Sequence, residues 1–138
     1  WRDMVSYVEQ RPQLLDGNIL ENITLWEDTP DINRVMHVCS SVGMEAMLER
    51  LPQGLLTKVG SGGKRLSGGE SQKVCIARAL YKKARIYIFD EATASLNTEG
   101  EEIVARCINS LKDEGKSVIY ISHREESGIL TDNVVSIN

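Results

Sequence analysis

The sequence predicts an α/β fold, a mostly parallel sheet flanked by helices. Three observations predict it. Ile86-Tyr87-Ile88-Phe89 is apolar at every position and closes on Asp90-Glu91, the pattern of a parallel strand buried on both faces. Residues 117–121 form a second run of the buried type, ending in Ser122-His123. Between them Ile103, Val104, Cys107, Ile108 and Leu111 recur at helical spacing.

Taken in order, the chain opens on a strand expected at residues 4–8, which alternate weakly. Glu9-Gln10-Arg11-Pro12 ends it, since a proline in a polar cluster cannot continue a ladder. Thr29-Pro30 predicts a helix start, with Thr29 as cap and Pro30 at the first helical position. Ile32, Val35, Met36 and Cys39 form its apolar face, and His37 lies off that face as an exposed bystander. Gly43 stops this helix. A second, shorter one carries Met44, Met47, Leu48 and Leu51 on one face and ends at Pro52; methionines at that spacing read as core.

Residues 57–64 are glycine-rich and basic but fail as a phosphate loop. Lys58 stands where the first glycine belongs, Arg65 where a metal-binding Ser or Thr belongs, and no strand precedes them. Ser67 with Glu70 then forms a capping box, and Gly68 and Gly69 leave the following helix start bare. A bare helix N-terminus attracts anions. The helix from Gly69 to about Lys83 turns Val74, Ala77, Leu80 and Tyr81 inward and Lys73 and Arg78 toward solvent or a partner. Thr98 with Glu101 predicts another capping box, Gly115 the stop of that helix, and residues 133–137 a last strand.

Composition narrows the function. The 138 residues fit one domain, with 41% hydrophobic and 26% charged side chains. A net charge of -4 argues against a surface spread with nucleic-acid contacts. No apolar run approaches the length of a membrane span. Trp1-Arg2-Asp3 is not a secretory leader, and a first residue other than Met suggests a piece of something longer. Cys39, Cys75 and Cys107, odd in number and far apart, read as buried reduced thiols. Asn22-Ile23-Thr24 matches a glycosylation sequon by chance.

Several motifs stand in a fixed order: Gln10 after a strand, Leu66-Ser67-Gly68-Gly69-Glu70 before a helix, Ile86 to Glu91, Ala92-Thr93-Ala94-Ser95-Leu96-Asn97, and His123 after a strand. In that order and spacing they resemble the nucleotide-binding domain of ATP-binding cassette (ABC) proteins, over nearly the whole chain. The resemblance implies a P-loop NTPase-type sheet with an inserted helical subdomain. The subdomain, with the signature, would span about 18–83; residues 1–17 and 84–138 would belong to the α/β core. Residues 57–64 resemble the loop before the signature in the exporter subclass, with Lys58 and Ser61 where acidic residues are usual.

The resemblance also implies an activity: ATP binding and hydrolysis powering transport, with ATP and Mg2+ required. Glu91 and His123 would be catalytic, the histidine contacting the γ-phosphate. Asp90 and Gln10 would serve the metal, and Gln10 also the attacking water. Ser67, Gly68, Gly69, Glu70 and Asn97 would bind nucleotide, the signature acting on phosphates held by a second nucleotide-binding domain placed head to tail. Partners would be that second domain and transmembrane domains, with no nucleic acid, at the cytoplasmic face of a membrane. Glu70 replaces the commoner glutamine and Asn97 the commoner aspartate. The family's Walker A loop and its strand are not among these residues. That strand would lie between those ending near His123 and Ile137, so the sheet is expected to be incomplete. Two other readings are a DNA-maintenance ATPase that shares the signature and a non-catalytic interaction module. Gln72-Lys73, the run from Ile76 to Leu80, and Asp90-Glu91-Ala92-Thr93 look more like the transporter pattern.

Overall fold

A computed structural model of the chain describes residues 1–124 and 128–136. Its centre is a three-stranded parallel sheet in the order β1-β4-β5, with β1 at Val5–Val8, β4 at Ile86–Asp90 and β5 at Ser117–Ile121. The register sets Tyr7, Ile88 and Ile119 in one row across the sheet, and Val8, Phe89 and Tyr120 in the next. Because side chains alternate along a strand, these rows face opposite ways.

Helices α4 (Gly68–Tyr81) and α5 (Thr98–Asp113) pack against the sheet, α4 on β1 and α5 on β5. Val8, Tyr87 and Phe89 are buried with Val74, Ala77, Val104, Ile108 and Leu111 in one core. Burying Phe89 stabilises the fold by roughly 2–3 kcal/mol. The other face is less covered: Tyr7, Ile119 and Ile121 are about half exposed. β5 is therefore not buried on both faces, although its sequence is apolar enough to be.

The segment between β1 and β4 is mostly helical. A two-residue antiparallel ribbon joins β2 (Gly17–Asn18) to β3 (Lys58–Val59). Helices α1 (Ile19–Thr24) and α2 (Ile32–Ser41) pack on α4, and α3 (Glu45–Arg50) closes the group. Asp31, not Thr29, caps α2, its carboxylate accepting from Arg34 N at 3.0 Å. A carboxylate at the N-cap satisfies a helix-end donor, so the helix begins two residues after Pro30. The buried face of α2 is Val35, Val38 and Cys39; Ile32 and Met36 are half exposed. Gly43 ends the turn at φ +66, a left-handed conformation suited to glycine. Met44, Met47 and Leu51 are buried as expected.

Three further expectations are corrected. Lys73 and Arg78 are half-buried rather than turned out. Lys73 donates to Gly43 O at 2.8 Å, and Arg78 to Asn22 O and Oδ1 and to Gln13 O, so both tie α4 to its neighbouring loops. Asn97 rather than Thr98 caps α5, its Oδ1 accepting from Gly100 N at 2.9 Å. Residues 133–136 form no strand, and Val134 and Val135 are largely exposed, because no strand among the described residues offers them a ladder; Ile137 lies outside the described residues. The sequon asparagine is fully buried and hydrogen-bonded to Leu15 and Asn18. All three cysteines are free and buried, and burial pushes the Cys39 and Cys107 thiols up to about 11.

Candidate functional site

Parallel pairing brings the carboxyl ends of β1, β4 and β5 to one edge of the sheet. Open α/β sheets bind ligands at that edge. Asp90, Glu91 and His123 sit there, and Gln10 follows β1 on the same side, exposed. Asp90 closes β4 opposite Ile121 and belongs to the less covered face. Its Oδ2 accepts from the Tyr7 hydroxyl at 2.7 Å. The hydrogen bond to Asp90 raises the Tyr7 phenol above its ordinary value. Oδ1 has no hydrogen bond among the described residues, so one oxygen is fixed and the other remains available.

Glu91 is held at three points. Its backbone adopts φ +48, an uncommon conformation for a residue other than glycine. Its N–H donates to Ile121 O at 2.9 Å, which locks the strand end to β5. Its Oε1 pairs with His123 Nδ1. Strain of this kind costs about 1–3 kcal/mol and gathers at functional sites. Ala94 N–H then bonds to Glu91 O and Leu96 N–H to Thr93 O, turning the chain into the Asn97 cap of α5.

The signature segment lies at the start of α4. Ser67 Oγ accepts from Glu70 N at 3.1 Å, and Glu70 Oε2 accepts from Ser67 N at 2.9 Å, completing the expected capping box. Glu70 also pairs with Arg50 at the end of α3. Burial opposes ionisation of Glu70, but the Ser67 N–H and the Arg50 guanidinium outweigh it and hold the carboxyl below its ordinary value. Gly68 is exposed, whereas Gly69 is partly covered. A Cβ at Gly69 would stand 3.1 Å from Ser95 O, a tight contact with the loop after β4. No described hydrogen bond or ion pair joins the signature to Asp90, Glu91 or His123. The fold thus brings together Asp90, Glu91 and His123, and the signature glycines lie against Ser95 and Leu96 of the loop after β4.

Sequence reasoning missed Tyr7. Its signal is the register: a tyrosine one position before the end of β1 lies beside Ile88, one pleat from Asp90. Sequence reasoning also missed Asp16, whose carboxylate accepts from Ser61 N and Oγ at 2.6 and 2.8 Å and fixes the loop before the signature.

The family model described as ABC transporter matches residues 1–94. Over 138 residues the chain is 36% identical to ABC transporter B family member 1 of Dictyostelium discoideum, covering 100% of this chain and 15% of that protein. It is 36% identical to Multidrug resistance protein 1 of Plasmodium falciparum (isolate FC27 / Papua New Guinea), covering 99% of this chain and 10% of that one. The Pediocin PA-1 transport/processing ATP-binding protein PedD of Pediococcus acidilactici is also 36% identical, covering 99% and 19%. The chain therefore spans a tenth to a fifth of these relatives' lengths. A solved bacterial Atm1-family ABC exporter with ATP bound superposes with a TM-score of 0.81 at 34% identity, covering 89% of this chain and 22% of that one.

Proposed function

The chain belongs to the ABC transporter family, and we propose that it forms the larger part of an exporter-type ATPase domain that drives transport by pairing head to tail with a second such domain. The observation that carries this reading is the shared edge: Glu91 locked between β5 and His123, beside an Asp90 with one free oxygen. Glu91 orients and deprotonates the attacking water. His123, tied to it, contacts the transferred phosphoryl group. Gln10 reaches the same edge from β1 and helps place the water. Ser67, Gly68 and Gly69 present the N-terminus of α4 to phosphates held by the partner domain. Glu70 stays turned into its capping box and toward Arg50, which limits its repulsion of those phosphates. Asn97 caps α5 and fixes the loop that leads to the partner.

The donor set suits Mg2+. Among the described residues no group of three acidic, histidine or cysteine side chains could hold a metal alone. A Mg2+ bound through one carboxylate, waters and substrate phosphates needs no such cage. Asp90 would hold it, directly or through water, with Gln10 beside it; when bound, the ion neutralises phosphate charge. No described helix is long and apolar enough to cross a membrane. We assign residues 18–83 as the helical subdomain, which meets transmembrane domains at the cytoplasmic face.

The test is hydrolysis by the full-length protein and its Glu91→Gln form. Loss of the base should lower the rate at least a hundredfold, within the range for general-base removal, while ATP still binds. Unchanged turnover would remove Glu91 from the mechanism.

A further inference from the structure

A concavity lies at the opposite end of the strands, about 13 Å of β4 away from Asp90. It is a cleft of about 510 Å³ between α2, α5 and the loops that lead into β4 and β5. Its floor is apolar, formed by Val38, Leu80, Tyr87 and Leu111. Its walls carry Arg34, Lys83, Arg106 and Lys116, with His37 and one carboxylate, Glu114. A chain of net charge -4 thus gathers four permanent cations against one anion around a single hollow.

None of the four cations joins an ion pair among the described residues. Arg34 is fixed without being neutralised. Its Nε and Nη2 donate to the carbonyls of Tyr81 and Leu80 at 3.0 and 2.9 Å, and its guanidinium lies 5.7 Å from the Tyr81 ring centroid. Lys83 takes the turn after α4 at φ +42, where glycine is the usual residue. Like charges brought together around a concavity repel one another unless an anion enters.

We propose that this cleft binds a small phosphate ester, independently of the nucleotide site. The volume falls in the range of small-molecule sites, in which an apolar floor holds the body and a few polar groups fix its orientation. The charge calls for a multiply charged head group, and the guanidinium fork of an arginine matches phosphate. The ester comes either from a soluble metabolite or from a lipid whose head group is a phosphomonoester.

The test uses the full-length protein. Glycerol 3-phosphate is titrated by calorimetry, and phosphatidic acid is presented in phosphatidylcholine vesicles against phosphatidylcholine alone. Saturable binding of the first identifies a soluble ester, and selective sedimentation with the second identifies the lipid. In either case Arg106→Glu with Lys116→Glu should weaken binding at least tenfold and leave ATP hydrolysis unchanged. Neither side chain makes a described hydrogen bond. Glu114→Gln should tighten binding severalfold, a change that misfolding cannot imitate. The proposal fails if neither probe saturates, if the charge reversals leave binding unaltered, or if only a polyglutamate peptide binds.

Discussion

Tyr7 decides how Asp90 presents its charge. A neutral hydroxyl donating to one carboxylate oxygen fixes the group's rotation and leaves the other oxygen free. Water competes for the hydroxyl of a half-exposed tyrosine, so this hydrogen bond orients the carboxylate more than it stabilises the fold. Tyr7→Phe in the full-length protein should therefore raise the Mg2+ concentration for half-maximal ATP hydrolysis. The maximal rate should stay within about twofold. A titration of rate against Mg2+ checks this, and an equal Mg2+ requirement in the two forms would show that Tyr7 does not orient Asp90. Glu70 supports a second prediction. Its carboxyl is held below the ordinary value of 4.5, so its contribution is complete above that pH and lost as pH falls through the folded value. Glu70→Gln keeps the capping geometry but removes the charge facing Arg50. Its melting temperature should fall less than the wild type's between pH 5 and pH 3, with a difference at neutral pH worth no more than about 1 kcal/mol.

At the scale of elements, α4 shows what a sequence carries and what it hides. The Ser67–Glu70 capping box was legible because both partners lie within one turn. The strand at β4 was legible because apolar runs of that length have few other uses. The roles of Lys73 and Arg78 were not, since their acceptors lie 30 to 65 residues away along the chain. The start of α2 was misplaced because Asp31 competes with Thr29 as cap and only geometry decides between them. For the candidate site, Asp90 and Glu91 stood out at the end of an apolar strand and His123 through the family resemblance, whereas Tyr7 required the pairing register. α4 also holds an anomaly. Gln72 is 1% exposed, and neither side-chain atom has a hydrogen-bond partner among the described residues. A buried amide without partners costs about 1–3 kcal/mol in protein mutational data. Gln72→Met keeps the volume and removes the polar atoms. It should stabilise the chain by about 1 kcal/mol in urea unfolding. A loss of stability instead would mean that the amide is satisfied in solution.

At the scale of the whole molecule, the sheet is finished on one face and open on the other. α4 and α5 cover the row of Val8, Phe89 and Tyr120, while Tyr7, Ile119 and Ile121 remain about half exposed on the less covered face. β5 is the last strand of the described sheet, so its outer edge offers unpaired backbone groups beside these side chains. The acid pair stands at the carboxyl end of the central strand β4, yet residues 57–64 fail as a phosphate loop of the chain's own. Both facts bear on residues 1–138 taken alone. An open edge next to an apolar face favours association between copies, so sedimentation velocity should show mass rising with concentration. Ile119→Lys should suppress that rise, because a charge facing outward from an edge strand opposes pairing. Without donors for the phosphates, Asp90 and Gln10 have no bound phosphate to share an ion with. Titration of Mg2+ and ATP should then give no saturable heat. Tight, Mg2+-dependent binding to residues 1–138 would show that the strand-end acids and the signature suffice to hold the nucleotide, and the trans arrangement of the signature would have to be abandoned.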